Sequence, residues 1–456
     1  MDKIVKMKTS ALLLDRYDDK ANMLRESVRA AGFMGPVLSL SDDAFLPDDV
    51  MSIYHYFIRH DLQNFPGGKA RYFNQVDIPE FWYIKGDNSG AKIYDMDKVR
   101  GEIFYADFNP AQRRLVKRVD WFSENGVKQY SDYYDKYGVL YGRMICDAQG
   151  NDNQMSWFDL NGREIIIENK VTNDIILNRQ GKTYIFHRKT DFVIYLLKIV
   201  EEFTNIEFTD IWYNSLSHPF FVSVEWQGER ENGDVLFWQE GPRQSIPGNM
   251  RIILEGNTKT SRILVQNRES YEGLIHAKAS TEYVKPLGFI YNYQKKNTAG
   301  SDVLICTNSD QIEHIDDIAK KYTDKHFHIC AVTEMSQKLL DIGKLDNVSL
   351  YPSVSMAMVQ ELFNKCDYYL DINYGGQILD AVKTAYLYEQ LIIGIEITVH
   401  NRQYIAPDHI FVNWKDMCAF LDQVFVKGDL KDELCAQKNK AMDESVKTYK
   451  KILFYS

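Results

Sequence analysis

The sequence predicts an α/β protein with two Rossmann-like domains and an antiparallel β-meander inserted into the first of them. Three observations predict this class. The last third alternates short apolar runs with helical patterns, which is typical of a parallel sheet. Between Lys92 and Arg188 the pattern changes to strands of period two separated by polar turns. The stretches on either side of that segment both have α/β patterning, so we interpret them as two pieces of one domain.

The predicted boundaries follow from these changes of pattern. The first Rossmann-like domain takes residues 1–91 and 189–295, the inserted meander takes 92–188, and the second Rossmann-like domain with a C-terminal helix takes 296–456. A chain of 456 residues with 45% hydrophobic content can bury large cores. Its net charge of −10 argues against duplex nucleic acid as the main partner, because that partner needs a basic face.

The spacing of the cysteines and the lengths of the apolar segments indicate the cellular compartment of the protein. The six cysteines form no C-x-x-C pair and no zinc-like spacing, so we expect reduced and mostly buried thiols in a cytoplasmic protein. The apolar stretch Ala11–Leu14 is too short for a signal peptide, and no run approaches the length of a membrane span. We therefore expect at most a peripheral contact with the cytoplasmic face of the membrane, and we predict no metal or cofactor.

In the first domain, LLLDRYDD begins a strand, a helix follows near Asp19–Ala31, and PVLSLS gives a second strand. After the insertion, FVIYLLKIVEEF has helical periodicity, and VLFWQ, MRIILEG and RILVQN continue the α/β pattern. Parallel sheets of this kind bind ligands beyond the carboxyl ends of their strands. Two facing domains would form a cleft there.

The inserted segment contains eight predicted strands, from EIFYADF to KTYIFHR. Its turns include Asn125-Gly126, Asn161-Gly162 and Gln180-Gly181, and the first two dipeptides favour type I′ hairpins. A meander without covering helices has to protect its edges, and pairing with another protein is one solution. A closed barrel that needs no partner is the alternative.

The second domain begins with the strand VLIC, followed by a predicted helix over Gln311–Tyr322 with Ile312, Ile315 and Ile318 on one face. A sugar-nucleotide transferase usually places an Arg in the turn after this strand and a Lys about five residues later, where they neutralise the diphosphate. This chain has Asn308 and Glu313 at those positions. A carboxylate there opposes diphosphate binding.

A second turn of interest lies in DINYGGQILDAV. Retaining transferases of this architecture carry two Glu residues eight positions apart across it. Here Asp380 stands at the second position and Ile372 at the first, and an isoleucine side chain cannot accept a hydrogen bond. A tight strand-to-helix turn made by the glycine pair is the structural interpretation.

Two aromatic clusters, IWYNSLSHPFF and LFWQEGPRQSIPGNM, mix Trp and Tyr with Asn and Gln. This mixture suits stacking and hydrogen bonding to a peptide or a sugar. Core packing by Trp212 and Trp238 is the alternative. His326 and His328 alternate along a strand, but no further ligand completes a metal set.

Several long segments resemble one family. SDDAFLPDDVMS, RYFNQVDIPEFW, DIWYNSLSHPF, VLFWQE with PGNM, and VLICTNSDQIE through YYLDINYGG are similar to the B subunit of the Gtf O-GlcNAc transferase of the bacterial accessory Sec system. That enzyme glycosylates serine-rich repeat adhesins. The resemblance covers almost the whole chain and implies a GT-B-like fold without a working donor site.

The resemblance also implies a role. It indicates a non-catalytic subunit that stabilises the catalytic O-GlcNAc transferase through the β-meander and binds a Ser/Thr-rich adhesin before export. The acceptor contacts we predict are polar and aromatic residues of the expected cleft: Trp82, Trp212, Tyr213, Asn214, Trp238 and Gln239. Two alternatives stay open. One is an autonomous retaining glycosyltransferase in which Lys383 or Arg402 replaces the phosphate contacts, and the other is a chaperone for unfolded adhesin.

Overall fold

A computed structural model describes residues 6–106, 114–243 and 245–454. The chain divides into two compact units, Met1–Pro286 and Leu287–Ser456. Together the two units contain two parallel sheets and one antiparallel sheet, so the predicted α/β class is confirmed.

The first unit begins with one half of a parallel sheet. Its elements are β1 (Met7–Leu14), α1 (Asp19–Ala30), β2 (Val37–Ser39), β3 (Val50–Ser52) and α2 (Ile53–His55). A π-helical turn, Tyr56–His60, and a 3-10 turn, Phe73–Gln75, follow. The Asp18 side chain caps α1 by accepting a hydrogen bond from the Ala21 amide, and the helix buries Leu24 and Val28.

An antiparallel sheet of ten strands comes next in the chain. Its strands pair in sequence order: β4 (Tyr83–Gly86), β5 (Ala91–Asp95), β6 (Lys98–Tyr105), β7 (Val116–Phe122), β8 (Lys128–Tyr134), β9 (Leu140–Cys146), β10 (Asp152–Phe158), β11 (Glu164–Asn169), β12 (Ile175–Arg179) and β13 (Lys182–Phe186). The sheet starts before the predicted boundary at Lys92, because β4 and β5 form a further hairpin. The division into three domains itself remains a prediction.

The sheet is open. In the described part of the chain β4 pairs only with β5 and β13 only with β12, so the closed-barrel alternative is wrong. One face of the sheet packs on α2, where Trp157 stacks on Tyr54 with the ring centroids 4.2 Å apart, and its residues Tyr141 and Ile166 share one core with Leu13. The meander and the first parallel sheet therefore lie in one compact unit.

The hairpin turns differ from the prediction in type. Gly126 and Gly162 have φ of 78° and 74°, but Asn125 and Asn161 are not in the left-handed region. These loops match a type I turn followed by a left-handed glycine, in which the Gly126 amide donates to the Ser123 carbonyl. Of the three predicted turns, only Gln180-Gly181 has two positive φ angles, 51° and 73°, as a type I′ turn requires.

The remaining elements of the first unit complete the parallel sheet. They are α3 (Lys189–Thr204), β14 (Ile206–Tyr213), α4 (His218–Glu225), β15 (Asp234–Trp238), α5 (Gly248–Leu254), β16 (Thr260–Val265), α6 (Arg268–His276) and β17 (Val284–Pro286). The strand order is β17-β16-β15-β14-β1-β2-β3, and all neighbours are parallel. The apolar runs 235–238 of β15 and 263–265 of β16 are continuous, as expected where helices cover both faces.

The second unit is a separate six-stranded parallel sheet with the order β20-β19-β18-β21-β22-β23. Its elements are β18 (Asp302–Thr307), α7 (Ile315–Lys321), β19 (His326–Ala331), α8 (Gln337–Ile342), β20 (Val348–Tyr351), α9 (Met356–Lys365), β21 (Tyr368–Asp371), α10 (Ala381–Leu387), β22 (Leu391–Ile395), β23 (Ile410–Phe411), α11 (Trp414–Val424), α12 (Lys431–Lys440) and α13 (Val446–Phe454).

The predicted helix over Gln311–Tyr322 is wrong at its start. The helix begins only at Ile315, and His314 before it has a φ of 45°. Residues 311–313 are extended instead, because Ile312 forms a bridge with Asn373 and the Glu313 amide donates to the Ile372 carbonyl at 2.9 Å. This pairing brings two loops of the sheet's carboxyl edge together.

Candidate functional site

The positions that would hold a sugar nucleotide lie on two neighbouring loops of the second unit. One loop follows β18 and the other follows β21, and these strands pair at Val303–Tyr368. Besides the Glu313 bond to Ile372, the Tyr374 amide donates to the Gln311 carbonyl at 2.8 Å. The structure therefore brings Glu313 and Ile372 together.

The Glu313 carboxylate already accepts a hydrogen bond from another residue of this chain. The Tyr374 hydroxyl donates to Glu313 Oε2 at 2.7 Å, and this hydrogen bond raises the pKa of Tyr374 above its ordinary value. Next to this pair, His314 stacks on Trp414 with the ring centroids 4.7 Å apart. A carboxylate bonded to a tyrosine presents negative charge where a diphosphate would need a cation.

Asn308 lies over the glycine turn of the second loop. Gly375 has a φ of 99°, and a Cβ added there would lie 2.8 Å from Asn308 Oδ1. Glycine is therefore favoured at position 375 by the backbone angle, and any side chain there would displace the Asn308 amide. The structural interpretation of the glycine pair as a tight turn agrees with this geometry.

The other two candidate donor positions, Ile372 and Asp380, differ in burial. Ile372 is fully buried in the core of the second unit. Asp380 is exposed in the left-handed region at φ 45°, and its carboxylate accepts a hydrogen bond from Gln377 at 2.9 Å. Lys383 Nζ is 3.9 Å from Asp380 Oδ2, and Arg402 donates to the Glu396 carbonyl at 3.2 Å.

A groove of about 640 Å³ begins at Glu313 and runs between α7 and α8. Its floor is aliphatic, and its rim mixes carboxylates with lysines. The residues that line it are Gln311, Ile312, Glu313, His314, Ile315, Asp316, Lys320, Lys338, Asp341, Ile342, Leu345 and Tyr374. Three carboxylates against two lysines give this groove no net positive charge for a diphosphate.

The aromatic residues predicted to contact an acceptor are mostly in the core of the first unit. Tyr213 and Trp238 are 0% and 1% exposed, and Trp212 is 3% exposed and stacks on Phe33. Burial raises the pKa of Tyr213, and its hydroxyl lies 2.7 Å from Thr260 Oγ1. The core-packing alternative describes these side chains, which present almost no surface to a ligand.

Asn214 and Gln239 do lie together, at the carboxyl edge of the first parallel sheet. The Asn214 side-chain amide donates to Gln239 Oε1 at 2.9 Å, and Asn214 Oδ1 accepts from the Asp15 amide at 2.9 Å. Gln239 Nε2 donates to the Lys20 carbonyl at 2.9 Å and to Gln266 Oε1 at 2.8 Å. These contacts join the ends of β1, β14, β15 and β16 in one polar network.

Three members of this network were not predicted: Asp15, Ser217 and Gln266. Ser217 Oγ donates to Asp15 Oδ1 at 2.7 Å, which extends the network along the edge. The signal was present in the sequence, because Asp15 directly follows the apolar run Ala11–Leu14 and Gln266 directly follows β16. A polar residue at the carboxyl end of a parallel strand is a candidate in any such sheet.

Trp82 lies elsewhere. It packs on the small core of the antiparallel sheet that contains Ile93 and Val119, and the Arg100 guanidinium stands 4.8 Å from its ring centroid. Trp238 belongs to a different core cluster. The structure therefore does not group Trp82 with the other five predicted acceptor residues.

His326 and His328 are bound by neighbouring side chains. His328 is 1% exposed, with its ring nitrogens 2.7 Å from Asp302 Oδ1 and 3.0 Å from the Tyr351 hydroxyl. His326 Nε2 is 2.7 Å from Ser349 Oγ. Within residues 6–106, 114–243 and 245–454 no group of three or more His, Cys, Asp or Glu side chains is arranged to hold a metal ion.

Comparison with protein families gives four matches in chain order. The matching families are the GtfB N-terminal domain over residues 12–57, the GtfB middle domain over 82–187, the GtfB third domain over 189–276 and the GftB/GlyA-F C-terminal domain over 303–437. The middle-domain match covers the ten-stranded antiparallel sheet. No helix in the described ranges is long and apolar enough to cross a membrane.

Two curated relatives carry the name UDP-N-acetylglucosamine–peptide N-acetylglucosaminyltransferase stabilizing protein GtfB. The Streptococcus agalactiae protein is 37% identical over 449 residues, which is 97% of this chain and 98% of the relative. The Streptococcus pneumoniae protein is 39% identical over 404 residues and 88% of each chain. A chain in the crystal structure of a GtfA/B complex bound to UDP and GlcNAc superposes with a TM-score of 0.89 at 34% identity, over 97% of this chain and 99% of that one.

Proposed function

This chain belongs to the GtfB family of transferase-stabilising proteins, and we propose that it acts as the non-catalytic subunit of a peptide O-GlcNAc transferase. The observation that carries this proposal is the state of the donor site. The two positions that should carry cations hold Asn308 and a tyrosine-bonded Glu313, and Ile372 replaces a carboxylate.

The cost of these replacements can be bounded. Removing one preorganised hydrogen-bond donor to a developing negative charge costs roughly 3–4 kcal/mol at the transition state. Losing two such donors and placing a carboxylate nearby would slow transfer by several orders of magnitude. The alternative of an autonomous enzyme with Lys383 or Arg402 has weak support, because Lys383 lies near Asp380 and Arg402 donates to a backbone carbonyl.

We propose that the catalytic subunit contacts this chain at the antiparallel sheet. Among the described residues neither edge strand pairs with a further strand, and exposed apolar side chains lie at both edges: Phe81 (90%) and Tyr83 (48%) at β4, and Ile185 (59%) on β13. An open edge with apolar side chains can add a strand or a surface from another protein. Association through this sheet would stabilise the catalytic subunit by mass action.

We propose that the acceptor polypeptide contacts this chain at the carboxyl edge of the first parallel sheet. The half-buried Asp15 and Ser217 supply carboxylate and hydroxyl groups there, while the buried side chains of Asn214, Gln239, Trp212 and Trp238 support the edge from the core. Such groups match the hydroxyls and peptide groups of an extended Ser/Thr-rich chain. By the family resemblance the acceptor is an adhesin that is modified in the cytoplasm before export, with at most peripheral membrane contact.

Stability of the partner tests the proposal. The catalytic subunit is heated alone, with this chain, and with an Ile185→Lys variant, and its unfolding midpoint is measured. We expect a higher midpoint with the native chain and a smaller increase with the variant. An Ile145→Lys variant is the control, since Ile145 is 42% exposed on β9, an interior strand of the sheet. An unchanged midpoint with the native chain would refute the stabilising role.

Measuring the transfer rate as well as the partner's stability distinguishes a chaperone from a stabilising subunit. A chaperone for unfolded adhesin would bind the acceptor without changing the partner's stability or its transfer rate. A stabilising subunit changes both, and its effect saturates at the stoichiometry of the complex.

A further inference from the structure

The His400 imidazole lies between two oxygen atoms in the second unit. Nδ1 is 2.6 Å from Asp371 Oδ1, at the end of β21, and Nε2 is 2.8 Å from the Gly375 carbonyl oxygen. The His400 backbone amide also donates to Asp371 Oδ2 at 2.7 Å. The ring therefore joins the end of a strand to the glycine turn that follows it.

Both partners of the ring can only accept hydrogen bonds. An ionised carboxylate and a backbone carbonyl have no proton to donate, so both ring nitrogens must carry one. Only the imidazolium form makes both bonds. The hydrogen bond to Asp371 raises the pKa of His400 above its ordinary value, which agrees with this geometry.

The other charged groups around the ring are paired away from it. On the loop of His400 itself, Glu396 and Arg402 lie 4.0 Å from each other. On the turn side, Asp380 is bonded to Gln377. Asp371, which is fully buried, is the charged group in direct contact with the ring.

We propose that His400 is a protonation-dependent clamp that holds the Gly375 turn against the end of β21 and releases it when the ring loses a proton. A neutral imidazole has one N–H, and the buried carboxylate retains it. Nε2 then directs a lone pair at the Gly375 oxygen from 2.8 Å, and two acceptors at this distance repel each other.

The clamped turn is the one that closes the donor-site position. Tyr374 on this turn bonds Glu313, and Gly375 lies under Asn308. Release of the turn would separate these pairs and open the space above β18 and β21. The clamp is independent of the proposed partner and acceptor roles, because all of its atoms lie in the second unit.

The sign of the effect follows from the direction of the pKa shift. A pKa that is higher in the folded protein than in the unfolded chain stabilises the clamp at low pH, and this contribution disappears as the pH rises through the folded value. The turn is therefore closed below the His400 pKa and released above it.

Histidine titration by NMR is the first test. The chain has ten histidines, and a His400→Asn variant identifies the resonance of position 400 in protein labelled at histidine Cε1. We expect this resonance to titrate above the ordinary histidine value of about 6.5. A midpoint at or below 6.5 would overturn the proposal.

Hydrogen exchange of peptides spanning residues 373–380 is the second test. After correction for intrinsic exchange, we expect the protection of the native chain to fall by roughly tenfold as the pH rises through the His400 midpoint. The His400→Asn variant should show no such pH dependence, whereas His314→Asn, a nearby control, should keep it. Equal pH dependence in the native chain and in His400→Asn would overturn the clamp. If His400→Asn does not fold, the native chain decides: protection that stays constant through the midpoint overturns the proposal.

Discussion

Replacing Gln239 with alanine should separate the structural and the acceptor-binding roles of the polar edge. Gln239 is 9% exposed and makes three side-chain hydrogen bonds, to Asn214, Lys20 and Gln266, at 2.8–2.9 Å. A net contribution of roughly 0.5–1.5 kcal/mol for each bond predicts a loss of about 3 kcal/mol in the free energy of unfolding. Chemical denaturation of the isolated chain measures this loss.

A matched control lies in the second unit. Gln437 is 1% exposed, accepts from the Ile392 amide at 2.9 Å and donates to the Gln390 carbonyl at 3.0 Å. On the same basis, Gln437→Ala should destabilise the chain by about 2 kcal/mol. It leaves the carboxyl edge of the first sheet unchanged.

Fluorescence anisotropy with a labelled Ser/Thr-rich peptide gives the second readout. We expect Gln239→Ala to weaken peptide binding by about tenfold or more, because the edge loses both the Gln239 amide and the fixed orientation of Asn214. Gln437→Ala should bind as the native chain does. Equal weakening by both variants would refute a specific role for the edge, and a stability loss well below about 1 kcal/mol for Gln239→Ala would refute the network.

Three further predictions concern single side chains. Asp234→Ala should destabilise the chain by about 3–5 kcal/mol in denaturant titration, because the fully buried carboxylate accepts from Arg230 Nε at 2.6 Å and its loss leaves the guanidinium without a counter-ion. A loss under about 1 kcal/mol would contradict this. Asn308→Ala and Glu313→Gln should leave transfer by the mixed subunits within about twofold of the native rate, whereas a roughly tenfold loss would indicate a working donor site. Gly375→Ala should lower the unfolding midpoint, measured by calorimetry, because alanine is strained at φ 99° and its Cβ would lie 2.8 Å from Asn308 Oδ1; an unchanged midpoint would contradict this turn geometry.

The fold could be predicted from the sequence to a large extent. Short apolar runs identify most strands of both parallel sheets, since strands covered on both faces are continuous rather than alternating. They do not identify β3, β14, β17 or β23. The eight meander strands from EIFYADF to KTYIFHR correspond to β6–β13, apart from residues 107, 108 and 113 of the predicted segments, which lie outside the described residues. The hairpin β4–β5 was missed, because its short strands lie in a polar stretch with a weak pattern.

Turn types and helix starts could not be predicted as well. Asn125-Gly126 fits both a type I′ turn and a type I turn with a glycine bulge, and the register of β7 against β8 decides between them. Ile312 satisfies the helical periodicity of α7 but lies in an extended segment that pairs with Asn373. In both cases contacts between distant segments override the local preference.

The sequence predicts which residue types stand at the candidate donor positions better than it predicts which side chains are buried or in contact. The degenerate donor positions follow from residue types alone, since neither Asn308 nor Ile372 can provide the missing charge. Burial could not be deduced for Trp212, Tyr213 and Trp238, because an aromatic residue beside polar ones is common both in cores and in binding sites. The bonds of His400 to Asp371 and Gly375 join loops far apart in sequence, and no local pattern indicates them.

Transfer of GlcNAc from labelled UDP-GlcNAc to a Ser/Thr-rich acceptor tests the central claim most directly. The assay compares this chain alone, the catalytic subunit alone, and the two together at equal concentrations. We predict no transfer by this chain alone and a rate with both subunits well above that of the catalytic subunit alone. Transfer by this chain alone, abolished by Lys383→Ala or Arg402→Ala, would contradict the account and assign it a donor site of its own.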